Sequence, residues 1–358
     1  MRVLAFGTYQ RDYPRCTQAL AALRAAGVEV EELHRGVWEG GREHWSAGPR
    51  ALARLALAEA ALALRPSHGD ADALYVGYPG HPDLLAARRV AGGRPVVFDP
   101  LVSLHDTLVS DRGRFGPAGV GARLLRRLDR HAFRAADLVV ADTAAHAGFF
   151  ADSFGLPPER LAVCPVGADD RLFRPAARPD PVCEALFVGK LIPLHGLETI
   201  LRAAGLVPEL RIHVVGSGQL GALLATRPGN VSWTPWLAYE ELPQAYRGAG
   251  CALGIFGTGP KAQRVVPNKA YQALATATPL VTADTPAARE LLSDGVDSLL
   301  VPPGDPHALA DALRRLASDP AARARLGAAG RSTYEERASL PVLAATWRSL
   351  LERLVPGR

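Results

Sequence analysis

The sequence predicts an α/β chain of two successive domains, each a doubly wound parallel sheet, and three observations carry that prediction. Short β-branched runs ending in Gly, Asp or Pro alternate with Ala/Leu/Arg-rich stretches of helical period, which is the pattern of βα units. The pattern stops at a proline-rich run, FRPAARPDPVCEA, with Pro175, Pro179 and Pro181, and then restarts. The 358 residues are enough for two hydrophobic cores at about 150 residues per domain. The expected division is 1–175, 176–338 and a terminal helix, 339–358, that has no strand after it and docks on either domain, crossing back to the first in one reading.

In chain order, the first half reads as strands RVLAFG, VEVEEL, ALYVGY, PVVFDP and DLVVAD, with helices over 17–26 and 50–64. The second half reads as ALFVGK, a helix over 197–204, RIHVVG, VSW, CALGIF, PLVTAD and LLVPPGD. A helix over 306–317 follows, opened by Asp305-Pro306, an acidic cap with proline at the first helical position. Ligands of open parallel sheets bind beyond the carboxyl ends of the strands, and two such sheets facing each other leave a cleft as the expected site. The candidate loops are therefore Gly7-Thr8, Asp99, Lys190, Gly216-Ser217-Gly218 and the segment 257–267.

With 48% hydrophobic and 22% charged residues the chain is ordinary globular protein, neither disordered nor collagen-like. Its 41 basic and 36 acidic residues leave a net +5, spread along the chain, which gives no argument for a nucleic-acid partner. The longest apolar-looking stretch, 51–64, is broken by Arg54 and Glu59, short of the roughly 18 uninterrupted residues of a spanning helix. MRVLAFGTY reads as a strand rather than a signal segment, so a cytoplasmic location is expected. Cys16, Cys164, Cys183 and Cys251 are far apart and form no C-x-x-C, which predicts four buried thiols. Asp70-x-Asp72 falls in a pre-strand loop, and no metal is expected.

Lysine usage is the sharper signal. Of the 41 basic residues only Lys190, Lys261 and Lys269 are lysine, and the two asparagines are Asn230 and Asn268. A GC-rich genome accounts for the scarcity. Under that pressure surface lysines drift to arginine, whereas a lysine serving as a compact point charge is not replaceable by a planar guanidinium. The adjacent Asn268-Lys269 opens a helix whose apolar positions are Ala270, Tyr271, Leu274 and Ala275. First turns favour acids, so a cation there points to an anionic ligand, with Gln272 one turn along to hold a ribose hydroxyl. The alternative is a solvated lysine and a surface amide. Lys190 and His195, in GKLIPLHG, stand after another strand and are placed to grip a diphosphate; a satisfied loop histidine is the other reading.

Gly216-x-Gly218-x-x-Gly221 satisfies the letter of a dinucleotide fingerprint but lacks the acidic residue at the end of the next strand. Two readings stand: a plain tight turn, or backbone N–H groups approaching a phosphate or sugar. Trp236 either stacks on a base or fills a core. GARLLRRLDRHAFR, with Arg112, Arg114, Arg123, Arg126, Arg127, Arg130 and Arg134 in and around it, is an amphipathic basic helix. It either lies on anionic lipid at the inner face of the membrane, which suits a lipid-linked acceptor, or is a solvated face.

VGADDRLFRP at 166–175, VVGSGQL at 214–220 and the run PLVTADTPAARELLSDGVDSLLVPPGDPHALADAL at 279–313 together resemble one family, the retaining nucleotide-sugar glycosyltransferases of the GT-B fold (glycosyltransferase 4-like, glycosyl transferases group 1). The resemblance spans nearly the whole length. It implies two Rossmann-like domains facing across a cleft, a nucleoside diphosphate sugar as co-substrate with no other cofactor, and retention of configuration. Lys190 and His195 stand where the family places two cations on the donor diphosphate. The family's paired glutamates map onto Arg264 and Gln272, a departure; a side-branch shows a pattern similar to RVVPNKAYQALA, in which the asparagine-lysine pair takes over phosphate contacts. His105, in SLHDT, matches a histidine aimed at the transferred sugar, or is structural. Asp99 is either an acceptor contact or a turn-former before Pro100. The implied catalytic residues are His105, Lys190 and Lys269; Gly7, Gly189, His195, Gly216, Gly218, Arg264, Asn268 and Gln272 bind the donor. The expected activity is sugar transfer to an envelope, polysaccharide or natural-product acceptor. A catalytically silent subunit of this fold and a nucleotide-sugar epimerase are the alternatives.

Overall fold

The computed structural model describes residues 1–38, 48–66, 70–176, 181 and 183–356, with Cys183 described by its backbone alone. The chain divides into two units, Met1–Val166 with Leu340–Arg358, and Gly167–Ser339.

The first unit holds a parallel sheet of β1 (Arg2–Gly7), β2 (Glu29–His34), β3 (Ala73–Val76), β4 (Val96–Phe98), β5 (Leu138–Ala141) and β6 (Leu161–Val163), in the order β2-β1-β3-β4-β5-β6. Helices α1 (Pro14–Ala25), α2 (Pro49–Ala63), α3 (Leu84–Ala91), α4 (Val120–Ala135) and α5 (Ala144–Phe154) cover its faces. Both faces of the central strands are buried, which is why β3, β4 and β5 read as continuous apolar runs. Side chains alternate across the sheet: Val3 and Ala5 join one core with Leu20 and Leu23 of α1, while Leu4 and Phe6 join another with Leu84, Phe133 and Phe150.

The second unit repeats the plan with β7 (Cys183–Val188), β8 (Ile212–Val215), β9 (Val231–Thr234), β10 (Ala249–Leu253), β11 (Leu280–Ala283) and β12 (Leu299–Val301), ordered β12-β11-β10-β7-β8-β9 and again parallel. Its helices are α6 (Leu197–Leu206), α7 (Leu242–Arg247), α8 (Asn268–Ala275), α9 (Pro286–Leu291), α10 (Pro306–Ser318) and α11 (Pro320–Arg337). Asp305 accepts from the His307 and Ala308 N–H groups at 2.9 and 3.0 Å, the cap that its place before Pro306 predicts. Strand order reverses between β1 and β3 and between β7 and β10, so each sheet has a crevice at those strands' carboxyl ends.

The chain enters the second unit ahead of the proline-rich run. Ala168 exchanges hydrogen bonds with the Tyr334 hydroxyl of α11 at 3.3 Å, and Phe173 packs edge-on against Tyr239 and Tyr246, so burial binds 167–175 to the second core. Of the prolines expected to mark a linker, Pro179 lies outside the described residues. The terminal helix α12 (Leu340–Leu354) crosses back to the first unit, where Trp347 meets the Tyr75 ring at 5.6 Å and Leu343 and Leu351 join the α1 core. Cys16, Cys164 and Cys251 are buried free thiols. Among the described residues no helix is long and apolar enough to cross a membrane, and no cluster of His, Cys, Asp and Glu could hold a metal ion.

Candidate functional site

In the second unit the carboxyl end of β7 and the first turn of α8 meet around one ammonium group. Pro267 in extended conformation leads into α8, which places Lys269 one residue inside the helix. Lys269 is 5% exposed. Its Nζ lies 3.8 Å from the centroid of the Phe187 ring, a cation–π contact that offsets part of the lost hydration. Nζ is sealed from solvent and has no hydrogen-bond partner. Burial without a counter-ion pushes its pKa well below the lysine range.

Gly189, at φ +153°, makes room for this group: a Cβ there would sit 2.7 Å from Nζ and 3.2 Å from His195 Cε1. His195 is buried, its ring edge on Phe187 at 5.7 Å, and Nδ1 donates to the Lys190 carbonyl. A carbonyl only accepts, so Nδ1 carries a proton, which fixes the ring's orientation. The structure thus gathers Gly189, His195 and Lys269, with Lys190 half-buried beside them.

The glycines after β8 have a reason within the chain itself. A Cβ on Gly216 would fall 1.8 Å from the Gly189 carbonyl oxygen, and one on Gly218 would fall 2.9 Å from Leu191 N and O. The two loops are laced by Leu191 N–H to Ser217 O at 2.9 Å and Leu220 N–H to Leu191 O at 2.8 Å. The segment after them, Gly221–Thr226, is a 3-10 turn and not an α-helix, so the arrangement of a dinucleotide fingerprint is not formed. Gly216→Ala is expected to destabilise by about 1–3 kcal/mol through overpacking, because the Gly189 loop must be displaced. Thermal unfolding measures the effect; an unchanged midpoint would remove this steric account.

Gln272 is buried in α8, its amide oxygen accepting from Tyr246 Oη at 3.1 Å, with Tyr239 as a second hydrogen-bond neighbour. The amide expected to meet a ribose is already engaged by two tyrosines. Arg264 is half-buried in the loop ahead of α8, where its Nε donates to Pro260 O at 3.0 Å. Asn268 begins α8 and is half-buried. Trp236 is exposed in the loop after β9, while Trp233 reaches back so that its Nε1 donates to Gly216 O at 2.8 Å.

In the first unit, Gly7 at φ +119° gives way to Asp83, whose Oδ2 would lie 2.0 Å from a Cβ there. Asp83 accepts from Thr8 N–H at 2.7 Å and Thr8 Oγ1 at 2.8 Å, fixing the loop after β1. The acceptor reading of Asp99 is corrected by its surroundings. Asp99 is wholly buried, takes Arg15 Nε at 2.8 and 2.9 Å and Tyr75 Oη at 3.0 Å, and has no surface left for a substrate.

His105 opens a π-helical turn, Asp106–Asp111, and is half-buried. Its N–H donates to Asp129 Oδ2 at 2.9 Å, and Asp129 also takes Ser103 Oγ at 2.6 Å and Leu104 N–H at 3.0 Å. Burial, and then Arg126 with Nη2 3.5 Å from the His105 Nε2, lower the imidazole pKa, so the ring is neutral near pH 7. Arg15, Asp83, Asp129 and Phe187 were not singled out from sequence. No spacing marks them, since each acts on a partner distant in the chain.

Residues 1–167 match the family described as glycosyl transferase 4-like domain, and residues 183–319 match that described as glycosyl transferases group 1. The D-inositol 3-phosphate glycosyltransferase of Nocardioides sp. is 28% identical over 84% of this chain and 71% of its own length. That of Streptomyces scabiei is 29% identical over 87% and 74%. Among solved structures, sucrose-phosphate synthase from Thermosynechococcus elongatus superposes with a TM-score of 0.74 at 17% identity, covering 99% of this chain and 98% of that one. HepE of Anabaena in complex with UDP-glucose superposes at 0.68 and 17% identity, covering 98% of each chain. Two parallel six-stranded units, the β7 to α8 crevice and family matches in both halves converge: the chain belongs to the GT-B glycosyltransferases, with a 4-like domain followed by a group 1 domain.

Proposed function

We propose that the protein moves a hexose from a nucleoside diphosphate sugar to an envelope, polysaccharide or natural-product acceptor, with retention of configuration. The observation that carries this reading is the partnerless Lys269 ammonium beside His195 at the end of β7. A nucleoside diphosphate departs with growing negative charge while the sugar becomes oxocarbenium-like, so a fixed cation aimed at the diphosphate lowers the barrier. Lys269 supplies that charge, the N–H groups at the start of α8 add partial charge, and Lys190 and Arg264, half-buried in the loops after β7 and ahead of α8, are read as further cations. This set of cations neutralises the leaving group from the chain's own residues, which is the reading of a metal-independent transfer. In the first unit the neutral His105 is read as a hydrogen-bond partner of the transferred sugar. Gly189, Gly216 and Gly218 let backbone and donor approach, with Asn268 and His195 as phosphate contacts.

The name of the D-inositol 3-phosphate glycosyltransferase relatives supports glycosyl transfer, and the UDP-glucose complex of HepE supports a nucleotide-sugar donor. One observation favours a second reading, a silent nucleotide-binding subunit: Gln272 is engaged by Tyr246 where the family pattern holds an acid. Incubating the purified protein with a panel of nucleotide sugars, alongside thermal shifts with UDP, GDP, ADP and TDP, separates the two. Slow release of a diphosphate with a matching thermal shift is expected. A shift without release supports the silent subunit, an isomerised donor an epimerase, and neither shift nor release overturns the reading.

A further inference from the structure

We propose that His81 is a positioning residue for His105: its Nε2–H donates to the Val102 carbonyl beside Asp129, and that one proton holds the loop after β4 to the turn after β3. Its effect on turnover rests on the reading of His105 as a partner of the transferred sugar. Its effect on the loop does not. His81 lies between β3 and α3 in a turn knit by Gly80 N–H to Gly77 O at 2.7 Å and Asp83 N–H to Gly80 O at 3.1 Å. A Cβ on Gly80 would fall 2.5 Å from the Gly77 oxygen, so the turn closes only around glycine. The imidazole is wholly buried, edge-on to Phe98 at 5.0 Å and to Phe133 at 5.9 Å.

Nδ1 stands 3.2 Å from Pro79 O and Nε2 3.1 Å from Val102 O, and both carbonyls only accept. Burial lowers the ring's pKa, against the pull of Asp129, the two carbonyls and Asp83, so near pH 7 the neutral ring has one proton for two partners. Asp129 decides which nitrogen keeps it. That carboxylate is wholly buried, with Oδ1 3.5 Å from Nε2, and its negative charge draws the proton to Nε2. Asp129 also takes Ser103 Oγ, Leu104 N–H and His105 N–H, while Nε2–H takes the carbonyl of the residue just before them. Residues 102–105 are therefore gripped from two sides, α4 and the turn after β3. The turn is itself fastened to the end of β1, because Asp83 holds Thr8. Without the Nε2 proton the Val102 carbonyl faces a lone pair, and one of the two grips is lost.

Glutamine and asparagine separate the two nitrogens, because a Gln amide N–H reaches the place of Nε2 and an Asn amide N–H that of Nδ1. In the full chain, amide hydrogen exchange at Leu104 and His105 should quicken about tenfold in His81→Asn and stay near the parent rate in His81→Gln. With any nucleotide sugar that the parent cleaves, His81→Asn should lower kcat about tenfold or more and leave the donor KM within about twofold, and His81→Gln should recover most of the loss. In a His105→Ala background His81→Asn should lower kcat no further. Nitrogen NMR of the parent should find the His81 proton on Nε2 near pH 7. A proton on Nδ1 overturns the proposal, and so do glutamine and asparagine variants that exchange alike, or a loss of kcat that persists without His105. If the asparagine variant does not fold, the NMR of the parent and the exchange of the glutamine variant decide. A parent that cleaves no nucleotide sugar overturns the transferase reading instead, and exchange and NMR still decide the role of His81.

Discussion

Lys269→Met is expected to lower the turnover of donor about 10²–10³-fold while raising the thermal midpoint of the ligand-free protein. The two effects have opposite signs because they arise from the same buried charge. Without ligand, the ammonium has lost its hydration and gained a single ring face at 3.8 Å, so the folded chain bears most of the desolvation cost. Methionine fills the same volume against Phe187 without that cost. On the proposed role, a bound diphosphate matches the charge, and matches it best as negative charge grows on the leaving group. Lys269→Arg should not restore activity, because a planar fork does not fit a notch in which Gly189 leaves less than a methyl group of space.

The pH dependence follows from the lowered pKa. In the folded chain Lys269 releases its proton more readily than in the unfolded chain, where lysine titrates near about 10.4. Between those two pKa values the unfolded chain binds more protons. The stability of the ligand-free protein therefore rises with pH through that window, and the penalty is full below the folded pKa. On the donor-binding role proposed for Lys269, diphosphate affinity should run the other way and fall as pH rises. Comparing midpoints and UDP affinity against pH for the parent and Lys269→Met checks both slopes. Equal slopes in the two proteins would mean that Lys269 is not the titrating group.

The alternation of strand runs and helical runs was legible because burial on both faces of the sheet writes itself into the sequence as uninterrupted Val, Leu and Ala. β6, three residues long, carries too little pattern to be seen and was missed. Lysine scarcity led to Lys269, but nothing in the sequence said that Phe187 would hold it. Gly216 and Gly218 were legible as glycines with a purpose; the purpose, clearance for the Gly189 carbonyl and Leu191, depends on two loops meeting across the sheet. Asp99 misled for a similar reason. A strand-end aspartate before proline looks exposed until its partner is known, and Arg15 lies 84 residues away.

That pair supports the second large prediction. Arg15→Met should destabilise the first unit by about 3–5 kcal/mol, because it strands the Asp99 carboxylate in the core with Tyr75 as its remaining donor. The same substitution removes the Nη1 bonds to the Cys164 and Pro165 carbonyls, at 2.7 and 2.9 Å, which tie down the chain just before it leaves the unit. For a unit of this size that loss should lower the midpoint by on the order of 10 °C. Asp99→Asn should fall in the same direction, since it leaves the guanidinium without its counter-charge. Arg15→Met with Asp99→Leu should recover part of the loss, because removing both charges also removes the cost of burying them, and the deficit then reflects packing and the two carbonyls. Calorimetry of the parent, Arg15→Met, Asp99→Leu and the variant with both gives the coupling between the two residues directly. An acceptor role for Asp99 predicts the reverse pattern, a raised acceptor KM in Asp99→Asn with the midpoint unmoved. The wholly buried carboxylate, its two oxygens sharing the Arg15 Nε–H and one of them also taking the Tyr75 hydroxyl, leaves no route to that outcome.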